Sequence, residues 1–320
     1  MLGENLTCVS VRPHGLRRAL AASLSALLPA TLCFGTLQGA KPEENNNALK
    51  RVSIVIHIKD HNGKSVESGS VKGLQVLEQE LKLPVLDGPR ILRPAQIALL
   101  IDCNFHQHKV LPLEQEVAMN LLSNLANEEA KALLISFASE IRSSGPLTND
   151  WASLRSFTSS IQSETDKHRE TVLLFDAMER ALHTLGDEQG AKAVVIFAEG
   201  NDHGSSINWM SLARLAHRTH TAFYAVLFSD HSFYGPRSLR RYGWDLNELT
   251  PITGGELWEV GNNTRKSHDI AEQLFLSLTS QGLIDVSVPN HHTNGFHRVK
   301  ALAPGYRISV QKGYFDREIH

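Results

Sequence analysis

The chain has 320 residues, 42% of them hydrophobic and 21% charged, so it can bury the core of one large domain or of two modest ones. Its 34 acidic and 32 basic residues leave a formal charge of -2, with Lys and Arg spread along the chain. No net basic field is present to hold nucleic acid or an anionic membrane surface, and neither is expected as a partner.

The first predicted element is N-terminal. Arg12, Arg17 and Arg18 precede ALAASLSALLPATLCFGTLQGA, a stretch over 19–40 without a charge. It reads as a secretory signal peptide over 1–40, with Gly35, Gly39 and Ala40 offering cleavage positions. Left uncleaved it would be a membrane anchor and the chain's one route to the membrane, although Pro29 and the many Ala, Ser and Thr residues make it only weakly apolar. Ala30-Thr31-Leu32 before Cys33 does not form a lipoprotein box. Cleavage would remove Cys8 and Cys33 and leave Cys103, which excludes an intramolecular disulfide. Export without disulfides suits a secreted or periplasmic bacterial protein.

After the polar KPEENNN, Val52, Ile54, Ile56 and Ile58 alternate with Ser53, Val55, His57 and Lys59, the period of a strand. Asp60-His61-Asn62-Gly63-Lys64 supplies a turn. Val66, Val71, Leu74, Val76 and Leu77 continue toward LPVLDGPRILRP, so 41–92 reads as a small β region ending in a linker.

Over 93–281 apolar runs alternate with helical patterns, which predicts βαβ units and a parallel sheet. The strands are IALLIDC, ALLISF (132–137), AKAVVIFA (191–198), AFYAVLF (222–228) and ELWEV (256–260). The helices are expected at about 112–126 with Pro112 in the first turn, 149–162 with Asn149 or Asp150 as N-cap, 175–182, 208–219 and 267–280. The tail, 282–320, returns to strand character in FHRVKALA and YRISVQKGYF around Pro304-Gly305. Lacking a crossover helix it cannot extend the parallel sheet, and it is expected to pair with the N-terminal β region.

The run IALLIDCNFH holds the most specific signal, because apolar residues of a doubly buried strand lead into Asp102, with Asn104 and His106 at alternate positions. Ligands of open α/β sheets bind outside the carboxyl ends of the strands. Cys103 beside Asp102 reads as a small residue packed at the strand end.

Six segments in order resemble a bacterial family of secreted proteins related to von Willebrand factor A, abundant in acidobacteria. VSIVIHIKDHNGKSV is similar to the stretch that precedes the A domain in that family, and KALLISFASEIR with PLTNDWASL to its second strand and following helix start. LLFDAMERAL, VVIFAEGNDHGS, LNELTPITGGELWEV and NGFHRVKALAPGYRISVQKGYF are similar to its later segments, the last with Lys312 where Arg is commoner. The resemblance implies a doubly wound, mostly parallel α/β sheet, Rossmann-like and von Willebrand factor A-like, carried on a small β-rich accessory domain built from both terminal segments. It also implies a metal-ion-dependent adhesion site, here substituted. Asp102 matches, Asn104 and His106 stand at two serine positions, Val172 falls at the threonine with Thr171 one residue away, and Glu199 stands at an aspartate. Asp202 lies in the same loop. Magnesium requires near-octahedral oxygen ligands, so these changes weaken it.

Three readings follow. The first is a non-enzymatic protein-interaction or adhesion-type module with a degenerate, metal-free site and an unidentified protein partner. No Gly-x-Ser-x-Gly, His-Glu-x-x-His or phosphate loop argues otherwise. The second is zinc or another divalent cation held by Asp102, His106, His108 and Glu199; His217 with His220, and His291-His292, are further histidine pairs. The third is a phosphatase-like α/β hydrolase with Asp102 as nucleophile, which lacks the second Asp because Asn104 occupies its place.

Overall fold

The computed structural model describes residues 49–63, 66, 71–186, 188–228, 243–261, 264–289 and 295–316, all within the unit Asn46–His320. The expected signal segment, Cys8, Cys33, His291 and His292 lie outside the described residues.

In chain order the strands of the central sheet are β5 (Ala95–Asp102), β6 (Ala130–Phe137), β7 (Ile141–Ser143), β8 (Ala191–Ala198), β9 (Thr221–Leu227) and β10 (Leu257–Glu259). They are preceded by β1 (Lys50–Lys59), β2 (Gln75–Glu78), β3 (Leu81–Leu83) and β4 (Val85–Ile91), and followed by β11 (Gly282–Val288), β12 (Phe296–Leu302), β13 (Arg307–Val310) and β14 (Gly313–Phe315). The helices are α1 (Leu111–Leu125), α2 (Trp151–Ser160), α3 (Leu174–Leu185), α4 (Trp209–Thr219), α5 (Trp244–Thr253) and α6 (Thr264–Thr279).

The six central strands run β10-β9-β8-β5-β6-β7, parallel except for β7. Counted from β5 this is the 3-2-1-4-5-6 order of a doubly wound sheet, and the order reverses between β5 and β8. Successive side chains of a strand face opposite sides, so Ile97, Leu99 and Ile101 pack with Val117 and Leu121 of α1, while Ala98 and Leu100 pack with Leu174, Met178 and Leu182 of α3. Every residue of β5, β8 and β9 is buried, which is why these segments read as continuous apolar runs.

Two antiparallel sheets lie beside this unit, ordered β13-β1-β11-β4 and β14-β12-β2-β3. They share an apolar cluster of Ile54, Ile56 and Ile58 with Val76, Leu83, Ile284, Val286, Val299 and Tyr314. The alternate residues of β1 are not solvent-facing: Val55 and His57 are also buried, because β1 lies against the α/β unit. His57 Nε2 lies 3.1 Å from both the Gly254 carbonyl and the Tyr224 hydroxyl, and burial lowers its pKa to about 4.

One expectation is corrected, and two elements appear beyond the predicted ones. LPVLDGPRILRP is not a linker, since Val85–Ile91 forms β4 and pairs with β11 through a register irregularity that absorbs its Asp-Gly-Pro. A hairpin strand, β7, follows β6 at the turn beyond Ala138. LNELTPIT is helix α5; its Pro251 sits in the last turns, ahead of a left-handed Gly254 cap. Gly255 is required by close approach, because a Cβ there would lie 1.8 Å from the Phe223 carbonyl oxygen. Gly255→Ala should therefore destabilise the chain by about 3 kcal/mol, read as a lower denaturant midpoint at unchanged slope. Among the described residues no helix is long and apolar enough to cross a membrane.

Candidate functional site

The site is built where the sheet order reverses, at the carboxyl ends of β5 and β8. Asp102 is the last residue of β5 and has no exposed surface. Its Oδ1 accepts hydrogen bonds from the Asn104 backbone N–H at 3.0 Å and from Asn104 Nδ2 at 2.8 Å, while Oδ2 is buried without a partner. Burial is the main cause that pushes its pKa from the ordinary 3.8 to about 7. The charge of Glu199 adds to the rise, and the hydrogen bonds from Asn104 oppose it.

Asn104 is spent locally as well. Its Oδ1 accepts from the His106 backbone N–H at 2.7 Å and caps a short 3-10 turn, Phe105–Gln107. That turn carries His106, whose ring meets Phe105 edge-on at 5.8 Å, and His108, whose Nδ1 lies 2.7 Å from the Phe105 carbonyl. Gln107, also buried, donates from Nε2 to the Phe228 carbonyl at 3.4 Å and ties the loop to the end of β9.

Glu199 follows β8, is buried, and accepts from Asn201 Nδ2 at 3.2 Å. Asp202 serves the preceding helix, α3. No side chain of its own N-cap residue, Leu173, covers the first turn of α3. The open N–H of Phe175 instead donates to Asp202 Oδ1 at 3.0 Å, an acid at the positive end of the helix. Ser205 Oγ donates to the same oxygen at 2.5 Å and accepts from the Asp176 N–H at 3.1 Å. Asp176 Oδ1 in turn accepts from the N–H and hydroxyl of Ser206 at 2.8 and 3.0 Å. The Val172–His203 bridge, with both hydrogen bonds at 2.9 Å, completes the link between these loops. Thr171 is exposed beside this bridge, next to Gly204.

The residue that sequence reasoning missed is Glu114. It lies in the first turn of α1, has no exposed surface, and neither carboxylate oxygen has a hydrogen-bond partner. Burial first, then the charges of Asp102 and Glu199, raise its pKa well above the ordinary value. The signal was present in the sequence: Glu114 falls three residues before Val117, on the apolar stripe completed by Leu121 and Leu125. Asp102, Glu114 and Glu199 thus form a buried acidic group at the switch point. Cys103 packs beside it at the strand end, and burial together with Asp102 and Glu164 pushes its thiol up to about 12, far from a reactive thiolate.

Magnesium would need about six oxygens in near-octahedral array. As placed, these residues do not fit that requirement, because the Asn104 amide is committed to Asp102 and His106, Asp202 to the first turn of α3, and Thr171 faces outward on the neighbouring loop. For zinc, Asp102, His106, His108 and Glu199 do not converge: among the described residues no three His, Cys, Asp or Glu side chains are grouped to hold a metal ion. A nucleophilic role for Asp102 also meets an obstacle, since a carboxylate without exposed surface offers a substrate no approach in this arrangement.

No protein-family model matches the chain, and no curated protein does. Among solved structures, the chain is similar to the conserved hypothetical protein BatB from Bacteroides thetaiotaomicron, at 15% identity over 57% of this chain and 97% of that one, with a TM-score of 0.45. It is similar to the SpRpn10 VWA domain at 13% identity, over 57% and 97% of the two chains, with a TM-score of 0.43. A further likeness is to the vWF domain of the type V pili tip protein Mfa5 from Porphyromonas gingivalis, at 9% identity over 59% and 97%, with a TM-score of 0.42.

Proposed function

We propose that the chain is an exported, non-enzymatic protein-interaction module of von Willebrand factor A-like fold, which meets its protein partner through the carboxyl edge of the central sheet without a bound divalent ion. In this reading 1–40 directs export, and the strands of 50–91 and 282–315 form the accessory domain that carries the α/β unit. The observation that carries the reading is the way the polar groups of the switch point are used. Asp102, Asn104, Asp176 and Asp202 are committed to shaping their own loops. A rim of exposed Lys109, Thr171, His203 and Ser206 stands around them. Rigid loops with a polar, solvent-facing rim suit recognition of a surface better than turnover of a small substrate.

A photo-crosslinking amino acid placed at position 109 or 203, in cells exporting the protein, tests this directly. Discrete adducts of defined mass are expected from both positions, and none from position 129, which is exposed before the amino end of β6. Equal labelling from position 129, or no adduct from either rim position, would contradict the reading.

A further inference from the structure

Away from the switch point, a cleft of about 400 Å³ opens between α4 and the strands β1 and β14. Its volume lies within the range of small-molecule sites, roughly 300–1,000 Å³. The charged side chains lining it are all basic: Lys50 and Arg51 at the start of β1, and Arg214 and Arg218 on α4, which fall four residues apart on one helical face. Val52 and Phe315 supply an apolar wall.

The charges are unevenly compensated. Arg51 is committed to Asp285, which also takes hydrogen bonds from Ser53 and Arg90. Lys50 donates to the Asp316 backbone carbonyl at 2.5 Å, with the Asp316 carboxylate buried nearby. Arg218 has no carboxylate partner among the described residues, and Arg214 has only the face of the Phe315 ring, 4.5 Å from its Cζ. His217 and His220 add no charge near neutrality, because burial lowers the pKa of each, that of His217 to about 4. Two uncompensated guanidinium groups therefore face one cavity beside an aromatic ring.

We propose that this cleft binds a small organic phosphate monoester, its dianion held by Arg214 and Arg218 with Lys50 at the rim, and its organic part against Phe315 and Val52. A phosphate monoester carries about -1.5 to -2 charges at neutral pH, which matches two free guanidinium groups where a single carboxylate does not. Guanidinium groups also bind phosphate oxygens in pairs of parallel hydrogen bonds. The site is separate from the carboxyl-edge loops, so it stands or falls independently of the proposed protein interaction.

Calorimetric titration of the full chain with phenyl phosphate, inorganic phosphate and benzoate at one ionic strength tests it. Saturable binding of phenyl phosphate is expected, tighter than either control, and weakened about tenfold or more by Arg218→Ala or Arg214→Lys. Arg218 is exposed and Arg214→Lys keeps the charge, so both variants should fold, as checked by an unchanged unfolding midpoint. Absence of saturable binding, equal affinity for inorganic phosphate or benzoate, or affinity unchanged in both variants would overturn the proposal.

Discussion

Glu114→Met is expected to stabilise the chain, the more so as pH rises above the ordinary carboxyl range, by about 2 kcal/mol, although it alters a fully covered residue of α1. Both oxygens of Glu114 lack a partner, and Asp102 and Glu199 add repulsion, so the carboxylate is worse placed in the fold than in water. Met fills a similar volume without a polar group to desolvate. For a unit of this size the gain amounts to roughly 4–8 °C in the unfolding midpoint.

The same acidic group contributes to the pH dependence with one sign, while the buried His57 and His217, protonated below about 6.5 when unfolded and only below about 4 when folded, contribute with the other. Asp102 ionises near its ordinary 3.8 when unfolded but holds its proton to about 7 when folded. Between those values Asp102 binds more protons in the folded state, so its own contribution to stability falls as pH rises through the window and levels off above it. The ionisation cost of Asp102 alone is on the order of 4 kcal/mol, and Glu114 acts in the same direction. Asp102→Asn, which can still accept from Asn104, should gain stability relative to the parent as pH rises through the window. Urea midpoints of parent and variant across the window read this; a stability difference between the two that does not widen from mildly acidic to neutral pH would contradict it.

The second large effect lies in the terminal strands. Asp285 of β11 has a fully covered side chain and accepts hydrogen bonds from Arg51 and Ser53 of β1 and from Arg90 of β4, the last at 2.7 Å. Burial opposes its ionisation, yet these three donors hold its pKa down to about 2. Arg51 and Arg90 are 61% and 42% exposed, so solvent screens the charge attraction and the hydrogen bonds dominate. Asp285→Ala should then cost about 2–3 kcal/mol, roughly 5–10 °C in the unfolding midpoint. The folded pKa is depressed, so this contribution is complete above about 3.8 and lost as pH falls toward 2. The alanine variant should lack that part of the acid transition; an unchanged midpoint would mean that the terminal strands do not depend on this contact.

The doubly wound fold was legible because its evidence is local. β5, β8 and β9 are apolar runs, and α1, α3 and α4 repeat with helical period, as burial on both faces of a sheet demands. Elements that escaped were decided by distant partners. β4 contains Asp87-Gly88-Pro89 and resembles a linker until β11 lies beside it. α5 contains Pro251, and only the packing of Leu246 and Leu249 under β9 identifies it as helix.

The site divides in the same way. Asp102 announced itself by ending an apolar run. The capping work of Asp202 depends on α3, about thirty residues earlier in the chain, and no spacing rule joins the two. Glu114 was visible as a carboxylate on an apolar stripe, but its meaning required Asp102 and Glu199 at the adjoining strand ends.

Thermal unfolding of the parent chain, of Asp102→Ala and of His106→Ala, titrated with Mg²⁺ and with Zn²⁺, tests the proposed metal-free acidic switch point most directly, because an ion that binds only the folded state raises the midpoint as its concentration passes the dissociation constant. The expected result is a parent midpoint that does not move with either ion through the millimolar range. A Mg²⁺-dependent rise that disappears in Asp102→Ala, or a Zn²⁺-dependent rise that disappears in His106→Ala, would contradict it.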